Sequence, residues 1–281
     1  MIRSSRPVSP AAVADHYEEL DRIYREVWGE HVHHGLWRTG RESPTEAVEQ
    51  LVELVAAEAG VSTGCTAVDI GCGYGASARY LAAKFGAKVT GLTITPAQFH
   101  YAVAVTPGNN PCYLLRDWLD NGLADAAFDA AYAIESTEHM ADKARAFAEA
   151  FRVLKPGGRL AVCAWTAADP VKVWETRHLL EPICREGRLP GMGTEADYRA
   201  LLAGAGFAVE AAADVSRQVR GTWGICLRRA VAKVFTDRAS RAYLLSAASR
   251  NRVFLLTVAR IWAAYYTGSM RYLVWRARKP G

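Results

Sequence analysis

The stretch VDIGCGYG at residues 68–75 constrains this chain more than any other. Three glycines in eight residues put bare backbone where a turn must be left-handed or where a ligand must come close to the main chain. Val68 and Ile70 read as the end of a buried strand, Gly71, Gly73 and Gly75 as the turn, and Ala76–Phe85 as the helix that follows. Strand, glycine turn and helix in that order predict a nucleotide-type pocket. Two nucleotide classes fit. Gly71, Gly73 and Ala76 satisfy G-x-G-x-x-A, which keeps an NAD- or FAD-binding oxidoreductase open. That pattern also needs an acid about twenty residues on to hold the ribose, and KVTGLTIT at 88–95 offers only Thr93 and Thr95. The acid here is Asp69, ahead of the glycines. A carboxylate inside the turn repels a pyrophosphate and suits a cationic amino-acid group, so its charge favours S-adenosylmethionine.

The surrounding elements alternate. Helical periodicity covers about 11–27 and 45–59, the second with Val48, Leu51, Val52 and Val55 on one face. Short apolar strands are expected at 65–70, 88–94, 111–115 and 128–134, then a helix at 142–154, a tight KPGG turn at 155–158 and a fifth strand at 159–165. Helices are expected over 170–204, a sixth strand at 207–215 and a last at 270–279. The pattern predicts an α/β fold: a Rossmann-like, doubly wound, seven-stranded sheet with an inserted helical cap near the C-terminus. The insert, 216–269, is too long for a hairpin and too apolar for a disordered loop. In it Phe254, Val258, Ile261, Trp262 and Tyr265 share a helical face. The chain then divides into 1–60, N-terminal helices and lid; 61–215, the cofactor-binding core; and 216–281, the cap and last strand, all in one structural domain. Ligands of such sheets sit beyond the carboxyl ends of the strands, so Asp69, Thr93, Asp117 and Glu135 are expected along one crevice.

DIGCGYG, GLTITPAQ at 91–98, IESTEHMADK at 134–143 and RVLKPGG at 152–158, in that order, resemble the class I S-adenosylmethionine-dependent methyltransferases. Within that superfamily the chain looks most similar to the tocopherol methyltransferase group and its small-molecule and prenyl-chain relatives. The resemblance covers residues 24–165. It implies that Gly71 and Gly73 pass under the methionine part of the cofactor and that Asp69 orders the loop. It puts Thr93 with Gln98 near the ribose, and Asp117 with Trp118 against the adenine. Thr93 stands where the superfamily usually has an acid, which leaves the ribose contact weaker. Asp117 also reads as a turn cap within RDWLDNG.

Glu135 and His139 follow the fourth strand, where the family's substrates approach, and are the catalytic candidates. His139 is read as general base, because its ordinary pKa lies near neutrality. A helix-start histidine bonded to backbone is an equal reading, and Glu135 also reads as a support for the cofactor loop. The resemblance makes Tyr24, Trp28, His34 and Trp37 a lid, and Trp262 and Tyr265 belong to the substrate cap.

Other features narrow the class. Glu30, His31, His33 and His34 do not read as a metal site, because neighbours in extended chain point apart and no second ligand group matches them. Cys65, Cys72, Cys112, Cys163, Cys184 and Cys226 are scattered without a C-x-x-C pair, the pattern of reduced thiols. No apolar leader and no membrane-length apolar run are seen, so a cytoplasmic protein is expected. Residues 216–281 carry +13 while the rest carries −8. Arg238, Arg241, Arg252 and Arg260 fall on one arc if this segment is a single helix, which suggests contact with an anionic membrane or a prenyl diphosphate, against a merely solvated face. A nucleic-acid methyltransferase is a further alternative, but no nucleic-acid module accompanies the charge. The expected function is methyl transfer from S-adenosyl-L-methionine to a small lipophilic acceptor, a phenol, quinol, prenyl chain or secondary metabolite, with carbon, oxygen and nitrogen all open as the site methylated.

Overall fold

Seven of the described strands make the main sheet: β1 (Thr66–Ile70), β2 (Lys88–Thr93), β3 (Cys112–Leu115), β4 (Phe128–Ile134), β5 (Leu154–Ala167), β6 (Ala208–Asp214) and β7 (Met270–Arg278). The computed structural model describes residues 1–238, 241–242 and 254–281, without the side chains of Phe254 and Leu255. The strands form one sheet in the order β3-β2-β1-β4-β5-β7-β6. All pairings are parallel except those of β7, which runs against both its neighbours. This is the Rossmann-like α/β sheet expected from the sequence.

The longer helices among the described residues are α1 (Pro10–Val27), α2 (Pro44–Ala59), α3 (Ala76–Phe85), α4 (Pro96–Ala104), α5 (Lys143–Val153), α6 (Glu195–Gly204), α7 (Gly221–Thr236) and α8 (Phe254–Thr267). Their starts are written locally. Ser43 caps α2 in a reciprocal box with Glu46, Pro44 opens its first turn, and left-handed Gly60 closes it. Alternate strand residues feed two cores, because successive side chains leave opposite faces of a sheet. Ala67, Val89, Ala130 and Cys163 pack with α2 and α3, together with Val258 and Ile261 of α8. Val68, Leu92, Ala131 and Val162 pack with Phe147 of α5 and Tyr198 of α6. Strand order reverses between β1 and β4, so a crevice opens beyond their carboxyl ends.

Three local expectations need correction. KPGG is not a separate turn: Leu154 pairs with Phe128 and Arg159 with Ala130, so residues 155–158 bulge from β5. The bulge holds because Lys155 reaches Asp129 at 2.7 Å and the Gly157–Gly158 backbone exchanges hydrogen bonds with Lys279. In α8, Val258, Ile261 and Tyr265 are buried, but Trp262 turns outward and packs against Tyr266 with the rings tilted by 39°, at the edge of the apolar arc. Of the four arginines drawn on one face, Arg260 departs from it. α7 ends at Thr236, Arg241 donates to the carbonyls of Val234 and Phe235, and Arg260 turns inward to an ion pair with Glu186 at 2.5 Å. Arg252 lies outside the described residues, as does the Phe254 side chain. One pairing had no sequence signal: Ile2–Arg3 runs antiparallel to Gly191–Met192.

Candidate functional site

A cavity of about 240 Å³ occupies the crevice where strand order reverses. Gly71, Gly73, Thr93, Gln98, Asp117, Trp118 and Glu135 line it. Asp69 sits in an adjoining chamber of about 40 Å³ that shares Gly71 and Gly73 with the larger one. The Thr93 hydroxyl donates to Gln98 Oε1 at 2.9 Å, tying β2 to α4. Asp117 both lines the cavity and caps the turn at Trp118–Asp120, accepting from Leu119 N at 2.9 Å. The Trp118 indole is clamped by its bond to Ala146 O at 2.9 Å.

The residues fit S-adenosylmethionine. A Cβ built on Gly73 meets nothing nearer than Gln98 Nε2 at 4.0 Å, so the backbone itself faces the cavity. Gly75 is glycine for another reason: a Cβ there would lie 2.6 Å from the Tyr113 ring. Asp69 Oδ2 is buried without a hydrogen-bond partner, and burial pushes the carboxyl up to about 7, with the Tyr132 hydroxyl pulling the other way. A cationic amino group beside it would restore its charge.

A second chamber, of about 70 Å³, lies against the first. Tyr17, Val32, Glu135 and His139 belong to both walls. The rest of the second chamber is aromatic and apolar, with Tyr24, Trp28, Trp165, Trp223 and Ile261, and includes the carboxyls of Glu138 and Glu186. His139 Nδ1 lies 3.2 Å from the Arg188 carbonyl, which can only accept, so Nδ1 carries the proton. Nε2 is 3.0 Å from the Tyr17 hydroxyl. Burial pushes the imidazole down to about 4, rather than leaving it near neutrality as its ordinary value suggested. At pH 7 the ring is neutral, Nε2 is bare, and Tyr17 donates to it.

Glu135 takes a left-handed backbone, φ 54°, directly after β4. Its Oε1 accepts from His34 N (2.7 Å), His34 Nδ1 (2.9 Å) and Tyr272 Oη (2.8 Å), and Oε2 accepts from Trp165 Nε1 (2.8 Å). Burial alone would raise this carboxyl, but the contacts with His34 outweigh it and hold it at about 2. Four donors meet the carboxylate, three on Oε1 and one on Oε2. These bonds fasten the N-terminal segment at His34 to β5 and β7. The His34 ring is held on its other side by Trp223 Nε1 at 2.5 Å.

The remaining lid candidates are spread in depth. Tyr24 and Trp28 line the second chamber. Tyr265 lies one layer behind it, its ring 5.5 Å from that of His34. Trp37 packs under Gly35 and Gly221, and Trp262 faces outward, so neither belongs to a described chamber wall. His31 and His33 join each other at 3.0 Å and reach Ser77 at the start of α3. Burial pushes His31 down to about 3 and His33 down as well. Among the described residues no group of three or more His, Cys, Asp and Glu side chains is placed to hold a metal ion.

Among the wall residues that escaped the sequence reading are Tyr17, Glu138, Trp165 and Trp223. Tyr17 precedes Tyr24 by two helical turns, so α1 periodicity could have found it. Glu138 is three residues beyond Glu135, and burial with the Glu135 charge pushes it up, while burial pushes its neighbour Lys143 down. Trp165 ends the quoted fifth strand. Trp223 offered no signal, because only the folded chain brings it to residue 34.

Comparison with known proteins agrees with this geometry. A family described as "Methyltransferase domain" matches residues 68–162. The chain is 32% identical to the chloroplastic tocopherol O-methyltransferase of Arabidopsis thaliana, over 78% of this chain and 69% of that one. It is 30% identical to the 27-O-demethylrifamycin SV methyltransferase of Amycolatopsis mediterranei (strain S699), over 97% and 98%. Its structure overlays on that of the [4+2]-cyclase SpnF with a TM-score of 0.79, 27% identity and 99% of both chains covered.

Proposed function

The chain belongs to the S-adenosylmethionine-dependent methyltransferases that act on small lipophilic acceptors, and from that premise we propose that it methylates a hydroxyl oxygen of a neutral acceptor, with His139 as general base. The observation that carries this reading is the position of His139, in the wall common to both cavities with Nε2 bare. When bound, S-adenosylmethionine supplies an electrophilic methyl group; Gly71, Gly73, Gln98, Asp117 and Trp118 would hold it. The chain's own part is to orient the hydroxyl, exclude water and take its proton. The Tyr17 hydroxyl, which burial raises well above its ordinary value, stays protonated and bonded to Nε2. The acceptor proton either replaces it there or passes through it.

The chamber's charge supports a neutral acceptor. Among the described residues that line it there is no Lys or Arg, while Glu135 is ionised within it. A diphosphate would be repelled. The tocopherol relative is named for transfer to oxygen and the rifamycin relative for a 27-O-demethyl acceptor, and both support oxygen as the site. Turnover of a His139→Gln variant on a phenolic or alcoholic acceptor tests the role of the base.

A peripheral contact with anionic lipid completes the proposal. No described helix is long and apolar enough to cross a membrane. Leu256, Trp262 and Tyr266 are exposed on α8, whose inner residues Thr257, Val258 and Ile261 line the acceptor chamber. Arg220 lies over the Tyr266 ring at 4.8 Å, within the segment that carries +13. Apolar side chains set among cations suit an anionic interface.

A further inference from the structure

We propose that Glu186 is a positioning residue for His139, acting through the corner Gly187–Leu189 and clasped from the cap helix α8. The inference rests on His139 as the base, and it assigns to the cap a role in presenting that base.

Glu186 ends the helix Glu181–Glu186, and its side chain lies in the acceptor-chamber wall. Its carboxylate accepts from Thr257 Oγ1 at 2.7 Å and from Arg260 Nη1 at 2.5 Å on both oxygens, with Arg185 at 3.3 Å. Thr257 and Arg260 sit on α8, more than seventy residues away in the chain. Past Glu186 the chain turns sharply. Gly187 N bonds to Ile183 O and Leu189 N to Cys184 O, each at 2.8 Å, which closes the helix around Arg188 in the left-handed region at φ 57°. Glycine is the usual residue at such a closure, and a side chain there adds roughly 1 kcal/mol of strain. The carbonyl of this residue is the one that receives His139 Nδ1–H.

The geometry therefore forms a path of bonds from α8 to the base. α8 holds Glu186, Glu186 leads directly in the chain into the corner, and the Arg188 carbonyl selects the tautomer that leaves Nε2 without a proton. With the clasp released, the corner is free to relax and the imidazole to exchange tautomers, which puts a proton on Nε2 in part of the molecules.

The test uses the full-length chain. Ring ¹⁵N spectra at pH 7, with His139 assigned by its loss in His139→Gln, are compared for wild type, Glu186→Leu and Glu186→Gln. Arg260→Gln opens the clasp from the other side should the leucine variant fail to fold. The wild type should show Nδ1–H alone. Glu186→Leu and Arg260→Gln should show mixed tautomers and a kcat about tenfold lower, with the S-adenosylhomocysteine Kd unchanged. Glu186→Gln, which can still accept from Thr257 and Arg260, should keep most of both. A raised KM with His139 still wholly Nδ1–H would overturn the proposal and make Glu186 an acceptor contact. If His139→Gln keeps full turnover, the base assignment fails, while the tautomer spectra still decide the clasp.

Discussion

At the residue scale, three buried groups line the chambers, and each differs from what its side-chain type suggests. His139 is neutral through burial, Glu135 is ionised and tied to four donors, and Asp69 is held near the point of titration. Replacing His139 by Gln should lower kcat by a hundredfold or more, the usual contribution of a general base, and leave S-adenosylhomocysteine affinity within about twofold by calorimetry. A loss of affinity with kcat preserved would make the residue a support of the lid. Asp69 gives a pH dependence with a definite sign. Free protein holds a proton on this carboxyl below about pH 7, and binding a cationic amino group beside it must expel that proton. Cofactor affinity should therefore weaken as pH falls from 8 to 6, approaching about tenfold per unit below 7. Affinity independent of pH over that range would show that Asp69 faces no cation.

At the scale of elements, the glycine turn separates a binding requirement from a folding one. Gly73 opens onto the cavity and Gly75 onto the Tyr113 ring. Gly73→Ala, strained only by its φ of 53° and free of any clash, should thus weaken S-adenosylhomocysteine binding with the circular dichroism spectrum retained. Gly75→Ala should instead destabilise the fold by about 2 kcal/mol, from overpacking and left-handed strain, read as a lowered unfolding midpoint. Equal effects of the two on stability would refute this division. The turn was legible because its neighbours in sequence are its neighbours in space. The lid was only partly so: WGEHVHHGLW announced a cluster, but not that His33 would meet Ser77 or that His34 would sit between Glu135 and Trp223. Those partners are 44, 101 and 189 residues away. Helical periodicity gave the inward side of α8 except at Trp262, because a residue at the margin of an apolar arc is turned in or out by what packs against it.

At the scale of the whole molecule, α/β alternation gave the sheet, and the charge split marked the C-terminal segment. Neither could place Arg260, whose direction is set by a glutamate in another element. The outer face therefore owes more to Leu256, Trp262 and Tyr266 than to a row of arginines. Wild type should sediment with anionic and not with neutral vesicles, less so as salt rises and screens the charge. Trp262→Glu with Tyr266→Glu should remove that binding without changing cofactor affinity, whereas vesicle binding unaffected by the pair would put the contact elsewhere. The proposed transfer is to the oxygen of a neutral acceptor. It is tested most directly by incubating the protein with methyl-labelled S-adenosylmethionine and a panel of phenols, prenylated quinols, macrocyclic alcohols, amines and prenyl diphosphates, then locating the label in each product by mass spectrometry and NMR. Label on the oxygen of a neutral lipophilic acceptor, lost in His139→Gln, is the predicted result; label on carbon or nitrogen, or on a prenyl diphosphate, would contradict it.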